Sequence, residues 1–245
     1  MLRKTILTAV VMASAFSVQA EELSKSALSK KFQSLTPFKI TAIEASPIEN
    51  TYQVVTESGV FYLTKDGKYI FSGSIHKAEE GLPNLTKARL AQEFKDSLSE
   101  LKESFVTFDA PNEKHEIVVF YDANCGFCQR LHEEVPALNA QGVTVHYAGW
   151  PRDGVNSRAN PNEYSSGYKT LQSMWCSASP KAAFNRVAEG AFVEPAVCET
   201  KIETHFKLGE QMGVRGTPAV FSITGEEVSK GAAPAARIVE TLESL

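Results

Sequence analysis

The sequence predicts an α+β protein with a small amino-terminal domain, a linker helix and a larger domain in which helices flank a mixed sheet. Three observations support this division. Residues 21–81 combine one helical pattern with short strand patterns, residues 82–105 carry a single amphipathic stripe, and residues 106–245 alternate strand and helix patterns. Alternation of this kind is typical of a layered fold, and a closing strand pair with a helix makes the sheet mixed.

Residues 1–20 have the pattern of a secretory signal peptide. Arg3 and Lys4 precede an apolar segment from Ile6 to Phe16, and Val18-Gln19-Ala20 ends in the small residue that cleavage needs. The apolar segment is too short to span a bilayer, so we expect cleavage and no stable membrane insertion. The mature chain would then lie in a compartment where disulfides persist.

The charge balance argues against one class of partner. The 245 residues contain 25 Lys and Arg against 29 Asp and Glu, a formal net charge of −4. Loss of Arg3 and Lys4 with the signal peptide changes the balance to 23 − 29 = −6. A mildly acidic chain without a basic patch gives no support for a nucleic-acid partner.

Residues 21–81 predict one helix and a small antiparallel sheet. Apolar residues recur at helical spacing between Leu23 and Leu35, and Pro37 ends that pattern. Strand patterns follow at residues 38–42, 52–55, 60–63 and 69–71, with a hairpin turn at residues 65–68. So small a domain buries little apolar surface, and its sheet leaves an edge open for pairing. We therefore expect a homodimer formed through this domain; the alternative is a domain that packs on the larger domain of its own chain.

Residues 82–105 predict the linker helix. Leu90, Phe94, Leu98, Leu101 and Phe105 recur at spacings of four, four, three and four. This is one apolar stripe on a helix of about 18 residues and roughly 27 Å. Such a helix can hold two domains apart as a rod, and a helix that lies flat on the larger domain fits the same stripe.

The larger domain opens with a strand that leads into two cysteines. Ile117 to Phe120 is an uninterrupted apolar run, typical of a strand buried on both faces. Phe127, Leu131 and Val135 then recur every four residues, as on an amphipathic helix. Further strands are predicted at residues 142–148, 219–222 and near Val228. Helices are predicted at residues 168–175, 181–188 and 202–212 and from about Pro234, with a loop from Trp150 to Tyr164.

The junction of strand and helix places Cys125 in the first helical turn and Cys128 one turn deeper. Unpaired N–H groups and the helix dipole favour an anion there, so we expect Cys125 to be an accessible thiolate with a pKa below the ordinary thiol value. One attacking and one resolving sulfur can exchange disulfides through a mixed disulfide. The alternatives are half of a zinc site, for which no second ligand pair follows, and a purely structural disulfide. We expect no metal and no cofactor.

Two further cysteines and a histidine complete the candidates. Cys176 and Cys198 flank helical segments 22 positions apart. In a secreted chain a bond between them would be a structural disulfide worth about 3 kcal/mol on the loop-entropy model; a second redox pair is the alternative. His132 lies two turns beyond Cys125 on the same helical face, and we expect a solvated surface histidine rather than a catalytic base. His76, His115, His146 and His205 have no ligand spacing.

Three segments together carry a resemblance to a known family. They are Phe120-Tyr121-Asp122 leading to Cys125-Gly126-Phe127-Cys128, then Leu131-His132-Glu133, and finally Gly213-Val214-Arg215-Gly216-Thr217-Pro218-Ala219-Val220. With them the chain resembles the periplasmic thiol:disulfide interchange proteins of the DsbC type, in the thioredoxin superfamily. The resemblance extends over the mature chain and implies a thioredoxin-like catalytic domain with a helical insertion, a linker helix and a dimerising amino-terminal domain. The loop at residues 150–164 is longer than the family pattern.

The resemblance implies a role for each site residue. Cys125 would be the attacking thiolate and Cys128 the resolving thiol. Pro218 would be a cis proline facing them, and the Thr217 backbone would pair with an extended substrate. Gly126 and Phe127 would contact substrate too. Phe127 stands where Tyr is expected, which removes a hydroxyl near the active site.

The resulting expectation is a dimeric protein disulfide isomerase in the periplasm. Its substrates would be misfolded secreted proteins with wrong disulfides. Because isomerisation needs a reduced Cys125, the family implies a membrane thiol reductase as a partner. Two catalytic domains held apart would form an apolar cleft, which motivates a chaperone activity. The alternatives are a monomeric thiol oxidase or dedicated reductase of the same superfamily, and a holdase-type binding protein.

Overall fold

The computed structural model describes residues 23–245, and the predicted signal peptide at residues 1–20 lies outside the described residues. Within that range the chain forms two sheets, each with its own helices, joined through one long helix. None of the helices in residues 23–245 has both the length and the hydropathy that crossing a bilayer requires.

The small domain packs one helix on a four-stranded antiparallel sheet, in the order that the sequence predicts. Its elements are α1 (Lys25–Leu35), β1 (Ile40–Ala45), β2 (Thr51–Thr56), β3 (Gly59–Thr64) and β4 (Ile70–Ser72), and the strands lie side by side in chain order. The Ser24 side chain caps α1 by accepting a hydrogen bond from the Ala27 backbone N–H. Leu28 and Phe32 of α1 are fully buried and pack on the sheet.

The linker helix α2 (Leu85–Leu101) is attached to the small domain at its first turn. Asn84 caps it by accepting a hydrogen bond from the Lys87 backbone N–H. The hydroxyl groups of Thr86 and Tyr62, both buried, lie 2.5 Å apart. Farther along, Arg89 donates to both carboxylate oxygens of Glu44 on β1, at 2.8 and 3.0 Å.

The second half of α2 belongs to the larger domain. Phe94 is fully buried and packs in one cluster with Val118, Phe120 and Phe221. Gly225 approaches the same helix so closely that a Cβ there would lie 2.7 Å from the Ala91 Cα. The helix therefore lies flat on the larger domain and is not a free-standing rod.

The larger domain contains a five-stranded mixed sheet. Its strands are β5 (Val106–Phe108), β6 (His115–Tyr121), β7 (Val143–Gly149), β8 (Ala219–Ser222) and β9 (Glu227–Lys230), in the spatial order β5-β7-β6-β8-β9. β6 and β7 are parallel and the other neighbours are antiparallel. The helices on this sheet are α3 (Gly126–Glu133), α4 (Val135–Ala140), α5 (Ser166–Trp175), α6 (Pro180–Ala188), α7 (Ile202–Gln211) and α8 (Ala235–Glu243).

Strand β6 is buried on both faces, which confirms the interpretation of its apolar run. Val119 and Tyr121 face the cluster that contains residues of α3, α5, α6 and α8. Val118 and Phe120 face the opposite cluster, with residues of α2 and α7. This central strand ends at the candidate site.

Two details differ from the predicted helices. Phe105 ends the predicted stripe of the linker, yet it lies beyond both α2 and a short 3-10 helix at Lys102–Ser104, next to the strand β5 that the prediction missed. The helix that follows the cysteines is interrupted after Glu133, and Pro136 lies in the first turn of its continuation α4. Because proline lacks a donor N–H, the interruption falls there.

Candidate active site

Cys125 is the N-cap residue of α3. Its backbone is extended (φ −108°, ψ 108°), its N–H donates to the Asp122 carbonyl at 3.1 Å, and its carbonyl accepts from the Gln129 N–H at 3.1 Å. The chain therefore turns sharply out of β6 and begins the helix directly after Cys125. This geometry aims the first free N–H groups of α3 towards the Cys125 sulfur.

A second segment covers Cys125 from the opposite side. The Cys125 Sγ lies 3.3 Å from the carbonyl oxygen of Thr217 and donates a hydrogen bond to it as a thiol. The Thr217–Pro218 peptide bond is cis. Only 1% of Cys125 is exposed, so the expectation of an accessible sulfur is wrong for this conformation. Thr217 comes from a distant part of the sequence, which is why spacing around Cys125 alone did not predict the cover.

The pKa of Cys125 is lowered from its ordinary value to about 5. The largest cause is a hydrogen bond from the Cys128 thiol; burial opposes it, and the Thr217 hydroxyl and the backbone N–H groups of Cys128 and Phe127 add to the lowering. Each of these donors stabilises the thiolate over the thiol. The Thr217 Oγ1 is buried and has no hydrogen-bond partner among the described residues, so its proton is available to the Cys125 thiolate.

Cys128 has the opposite character. It is fully buried in α3, and burial is the largest cause of a strongly raised pKa, to which the hydrogen bond with Cys125 adds. The backbone N–H of Asp122 points to its Sγ at 3.5 Å and opposes that shift. The pair thus consists of one readily ionised sulfur and one sulfur that keeps its proton.

His132 is not a solvated surface histidine, so that expectation is wrong. It is 5% exposed, its Nδ1 lies 2.8 Å from the Tyr147 hydroxyl, and its Nε2 lies 2.8 Å from the Asn185 Oδ1. Burial lowers its pKa. Helix α6, which carries Asn185, packs on this face of α3, and the sequence near the cysteines carries no sign of that contact. His132 therefore supports the core behind the cysteines.

Phe127, which the sequence analysis placed on the apolar stripe, points outward. It is 57% exposed, and the Arg130 guanidinium lies 4.2 Å from the centre of its ring. Gly126 faces open space, since a Cβ there would meet no atom within 4 Å. The two residues between the cysteines thus form an exposed surface over a buried dithiol.

Cys176 and Cys198 form a disulfide, with their Cα atoms 5.6 Å apart. Cys176 caps the carboxyl end of α5, and Gln172 of the same helix donates to the Cys198 carbonyl at 3.2 Å. The bond ties the segment before α7 to α5. Cys125 and Cys128 are the free cysteines of the described chain.

The structure also identifies two polar residues that the sequence analysis did not assign. Asp122 and Arg152 form an ion pair directly beside the turn that carries Cys125, with 2.9 Å between the Arg152 Nε and the Asp122 Oδ2. No group of three or more His, Cys, Asp or Glu side chains within residues 23–245 is arranged to hold a metal ion.

Comparisons with known proteins cover both domains. A family model described as a thioredoxin-like domain matches residues 101–245. A second model, described as the N-terminal domain of disulfide bond isomerase proteins, matches residues 17–87. The two models correspond to the two sheets that the structure describes.

Three curated relatives are named thiol:disulfide interchange protein DsbC. The relative from Dickeya dadantii is 40% identical over 187 residues, which is 76% of this chain and 74% of that protein. The relative from Salmonella typhimurium is 39% identical over 76% of this chain and 73% of that protein. The relative from Haemophilus influenzae is 31% identical over 95% of both chains. A two-domain fold with the dithiol at the start of α3, and relatives of this identity and coverage, establish that the chain belongs to the DsbC family of thiol:disulfide interchange proteins.

Proposed function

We propose that the chain is a protein disulfide isomerase in which Cys125 attacks substrate disulfides and Cys128 resolves the product. The observation that supports this best is the contrast between the two sulfurs. The pKa of Cys125 is lowered to about 5, while Cys128, three residues away, is buried with a raised pKa. This contrast favours a thiolate at Cys125 and a thiol at Cys128 at neutral pH, which supports Cys125 as the attacking sulfur.

The reaction begins when the Cys125 thiolate attacks one sulfur of a wrong disulfide in the substrate. A bond forms between Cys125 and that sulfur, the substrate S–S bond breaks, and the second substrate sulfur leaves as a thiolate. In isomerisation, another substrate thiolate attacks the mixed disulfide and releases Cys125 unchanged. No net oxidation or reduction takes place.

The competing outcome is net reduction of the substrate. Cys128 loses its proton, attacks Cys125, and forms a Cys125–Cys128 disulfide while the substrate sulfur leaves reduced. Because burial disfavours the Cys128 thiolate, the attack of Cys128 on the mixed disulfide is slow. The slow attack leaves time for the substrate to rearrange, which an isomerase requires.

Substrate would bind around the exposed rim of the dithiol. Gly126 and Phe127 offer an open surface on one side, and the Thr217 backbone lies on the other, with its carbonyl oxygen 3.3 Å from the Cys125 Sγ. An extended substrate segment would pair with the Thr217 backbone beside Pro218, by strand addition. This arrangement favours unfolded or misfolded chains, which have free backbone groups.

The proposal includes assembly and location. The edge strand β4 of the small domain is short. Tyr69, just before it, and Phe71, within it, are exposed at 68% and 39%, which is typical of a surface that pairs with a second copy. Membership of the family supports a homodimer through this domain, export to the periplasm and a membrane thiol reductase that keeps Cys125 reduced, and all three are part of the proposal. The Cys176–Cys198 disulfide would have a structural role.

The test is recovery of ribonuclease activity from scrambled ribonuclease. Wild-type protein should restore activity, Cys125→Ala should abolish recovery, and Cys128→Ala should accumulate mixed disulfides that gel electrophoresis detects. Full recovery of ribonuclease activity with Cys125→Ala would contradict the proposal. The redox state of Cys125 in cells, measured by alkylation and gel shift, separates an isomerase, which is reduced at rest, from an oxidase.

A further inference from the structure

Asp122 is a buried carboxylate at the base of the active-site turn. It is 2% exposed and comes directly after β6, three positions before Cys125. Its Oδ1 accepts a hydrogen bond from the Asn124 backbone N–H at 2.8 Å. A charge at this depth is strongly unfavourable unless another charge balances it.

Arg152 supplies that balance from the loop that follows β7. Its Nε donates to the Asp122 Oδ2 at 2.9 Å and its own backbone N–H donates to the same oxygen at 3.0 Å. A second guanidinium nitrogen, Nη2, donates to the Asn124 carbonyl at 2.9 Å. One side chain therefore holds both ends of the segment from Asp122 to Asn124, with two donors of its planar guanidinium.

The segment that Arg152 holds contacts both cysteines, Cys128 at its sulfur and Cys125 at its backbone. The Asp122 backbone N–H donates to the Cys128 Sγ at 3.5 Å, and the Asp122 carbonyl accepts from the Cys125 N–H at 3.1 Å. The pKa of Arg152 is raised, first by its hydrogen bond to Asp122 and also by attraction to the two cysteine sulfurs. The guanidinium thus lies within electrostatic reach of the dithiol.

The two tyrosines near the sulfurs carry no charge that could balance the Asp122 carboxylate. Tyr121 and Tyr147 interact with the cysteine charges, but burial raises the pKa of both phenols, so they remain neutral. The Asp122 carboxylate lies at the base of the turn that carries Cys125, and the Arg152 guanidinium is the cation paired with it.

We infer that Arg152 is a positioning residue for Cys125, and that it keeps the thiolate favourable by cancelling the charge of Asp122. This deepens the proposed function and rests on it only for the consequence in catalysis. It also gives the long loop from Trp150 to Tyr164 a role, because that loop carries Arg152 to the active-site turn. A like charge left unbalanced beside a thiolate raises its pKa.

The test compares the pH midpoint of Cys125 alkylation by iodoacetamide at low salt, in wild-type protein and in Arg152→Gln. In the variant, the backbone N–H groups of residues 124 and 152 still donate hydrogen bonds to the Asp122 carboxylate. The midpoint should therefore rise by roughly half a pH unit or more, a modest shift because the guanidinium is partly exposed and screened by solvent and salt. Arg158→Gln, an exposed arginine of the same loop, should leave the midpoint unchanged.

A double variant separates charge from structure. Asp122→Asn with Arg152→Gln removes both charges and should return the midpoint towards the wild-type value, which a merely structural role of Arg152 would not do. The inference would be overturned if the alkylation midpoint of Arg152→Gln equals that of wild type. It would also be overturned if the midpoint of the double variant is shifted as far as that of Arg152→Gln. If Arg152→Gln does not fold, the alkylation midpoint of Asp122→Asn tests the inference, and the expected shift is in the opposite direction. Its unbalanced guanidinium should lower the midpoint, and an unchanged or higher midpoint contradicts the inference.

The alkylation measurement needs no substrate, so the two proposals fail separately. If wild-type protein rearranges no disulfides but Arg152→Gln still raises the midpoint, the proposed function falls and the inference about Arg152 stands. If Cys125→Ala abolishes isomerisation but the midpoints of wild type and Arg152→Gln coincide, the inference falls and the function stands.

Discussion

Cys125 and Thr217 are 92 positions apart in the chain, yet the sulfur of one lies 3.3 Å from the carbonyl oxygen of the other. The contact joins the start of α3 to the segment before β8, and β8 pairs with β6, the strand that leads to Cys125. The sheet therefore determines which residues surround the sulfur.

The acidity of Cys125 should be visible directly. Its alkylation rate should follow a titration with a midpoint near pH 5, because the pKa is lowered to about 5. A lowered pKa in the folded state stabilises the reduced fold above the ordinary thiol pKa of about 8.5, and this contribution is lost as the pH falls towards about 5. Urea unfolding of the reduced protein should show this loss, and Cys125→Ser should not. A midpoint near that of a free cysteine would contradict the description of the site.

The Thr217 hydroxyl should contribute to that acidity. Thr217→Val keeps the shape of the side chain and removes a buried hydroxyl that has no hydrogen-bond partner among the described residues and contributes to the lowered pKa of Cys125. The alkylation midpoint should rise by roughly half a unit to one unit. Thr200→Val is the matched control, since its Oγ1 is likewise buried without a partner and belongs to no contact of the dithiol. Equal midpoints in the two variants would exclude the Thr217 hydroxyl as a donor to the sulfur.

Acid should destabilise the fold through His205. Its pKa is lowered to about 3 by burial, its Nε2 lies 2.8 Å from the Ser104 Oγ, and its Nδ1 accepts from the Gly149 N–H at 3.3 Å. Between about pH 6.5 and 3 the unfolded chain binds a proton that the native state does not, so the free energy of unfolding falls as the pH falls. The slope for this proton is about 1.4 kcal/mol per pH unit. His205→Gln should lower stability at pH 8 and flatten this slope; an unchanged slope would assign the acid sensitivity elsewhere.

Phe94 should act as a core residue of the larger domain although it lies on the linker helix. Phe94→Ala empties a fully buried position in the cluster with Phe120 and Phe221. Such truncations cost about 3–5 kcal/mol of unfolding free energy, which denaturant titration measures. Phe192→Ala, at a position that is 75% exposed, should change it by no more than about 0.5 kcal/mol. A loss below about 1 kcal/mol for Phe94→Ala would mean that α2 is loosely attached in solution.

The Cys176–Cys198 disulfide should stabilise the fold without entering the chemistry. Replacing both cysteines by Ala opens a 22-residue loop and should cost about 3 kcal/mol on the loop-entropy model. The alkylation midpoint of Cys125 should not move. A shifted midpoint, or loss of isomerase activity in a variant that remains folded, would favour a second redox pair instead.

The features that sequence predicted are those encoded by neighbouring residues. The run at residues 117–120 is found within the buried strand β6, and the turn after it places Cys125 at the start of a helix. The four strands and one helix of the small domain follow their apolar spacing and turn residues. In each case, one short segment carries the whole signal.

The features that sequence missed depend on residues far apart in the chain. His132 is buried because α6 packs over it, and Cys125 is covered because the Thr217 segment folds back onto it. The Asp122–Arg152 pair joins the ends of two different strands. β5 has only three residues, too few for a period to show. Local spacing contains none of this information, since the partner is set by the fold.

The double attachment of α2 constrains how the chain can change in length. Thr86 meets Tyr62 near one end of the helix, and Phe94 enters the second core two turns later. Each residue inserted between Thr86 and Phe94 would rotate Phe94 about the helix axis by about 100° relative to Thr86. Seven inserted residues would restore the phase to within about 20°, whereas one or two would detach a domain. Viable insertions in this helix should therefore come close to a whole number of turns, such as seven or eleven residues, and would lengthen the helix by about 10 or 16 Å.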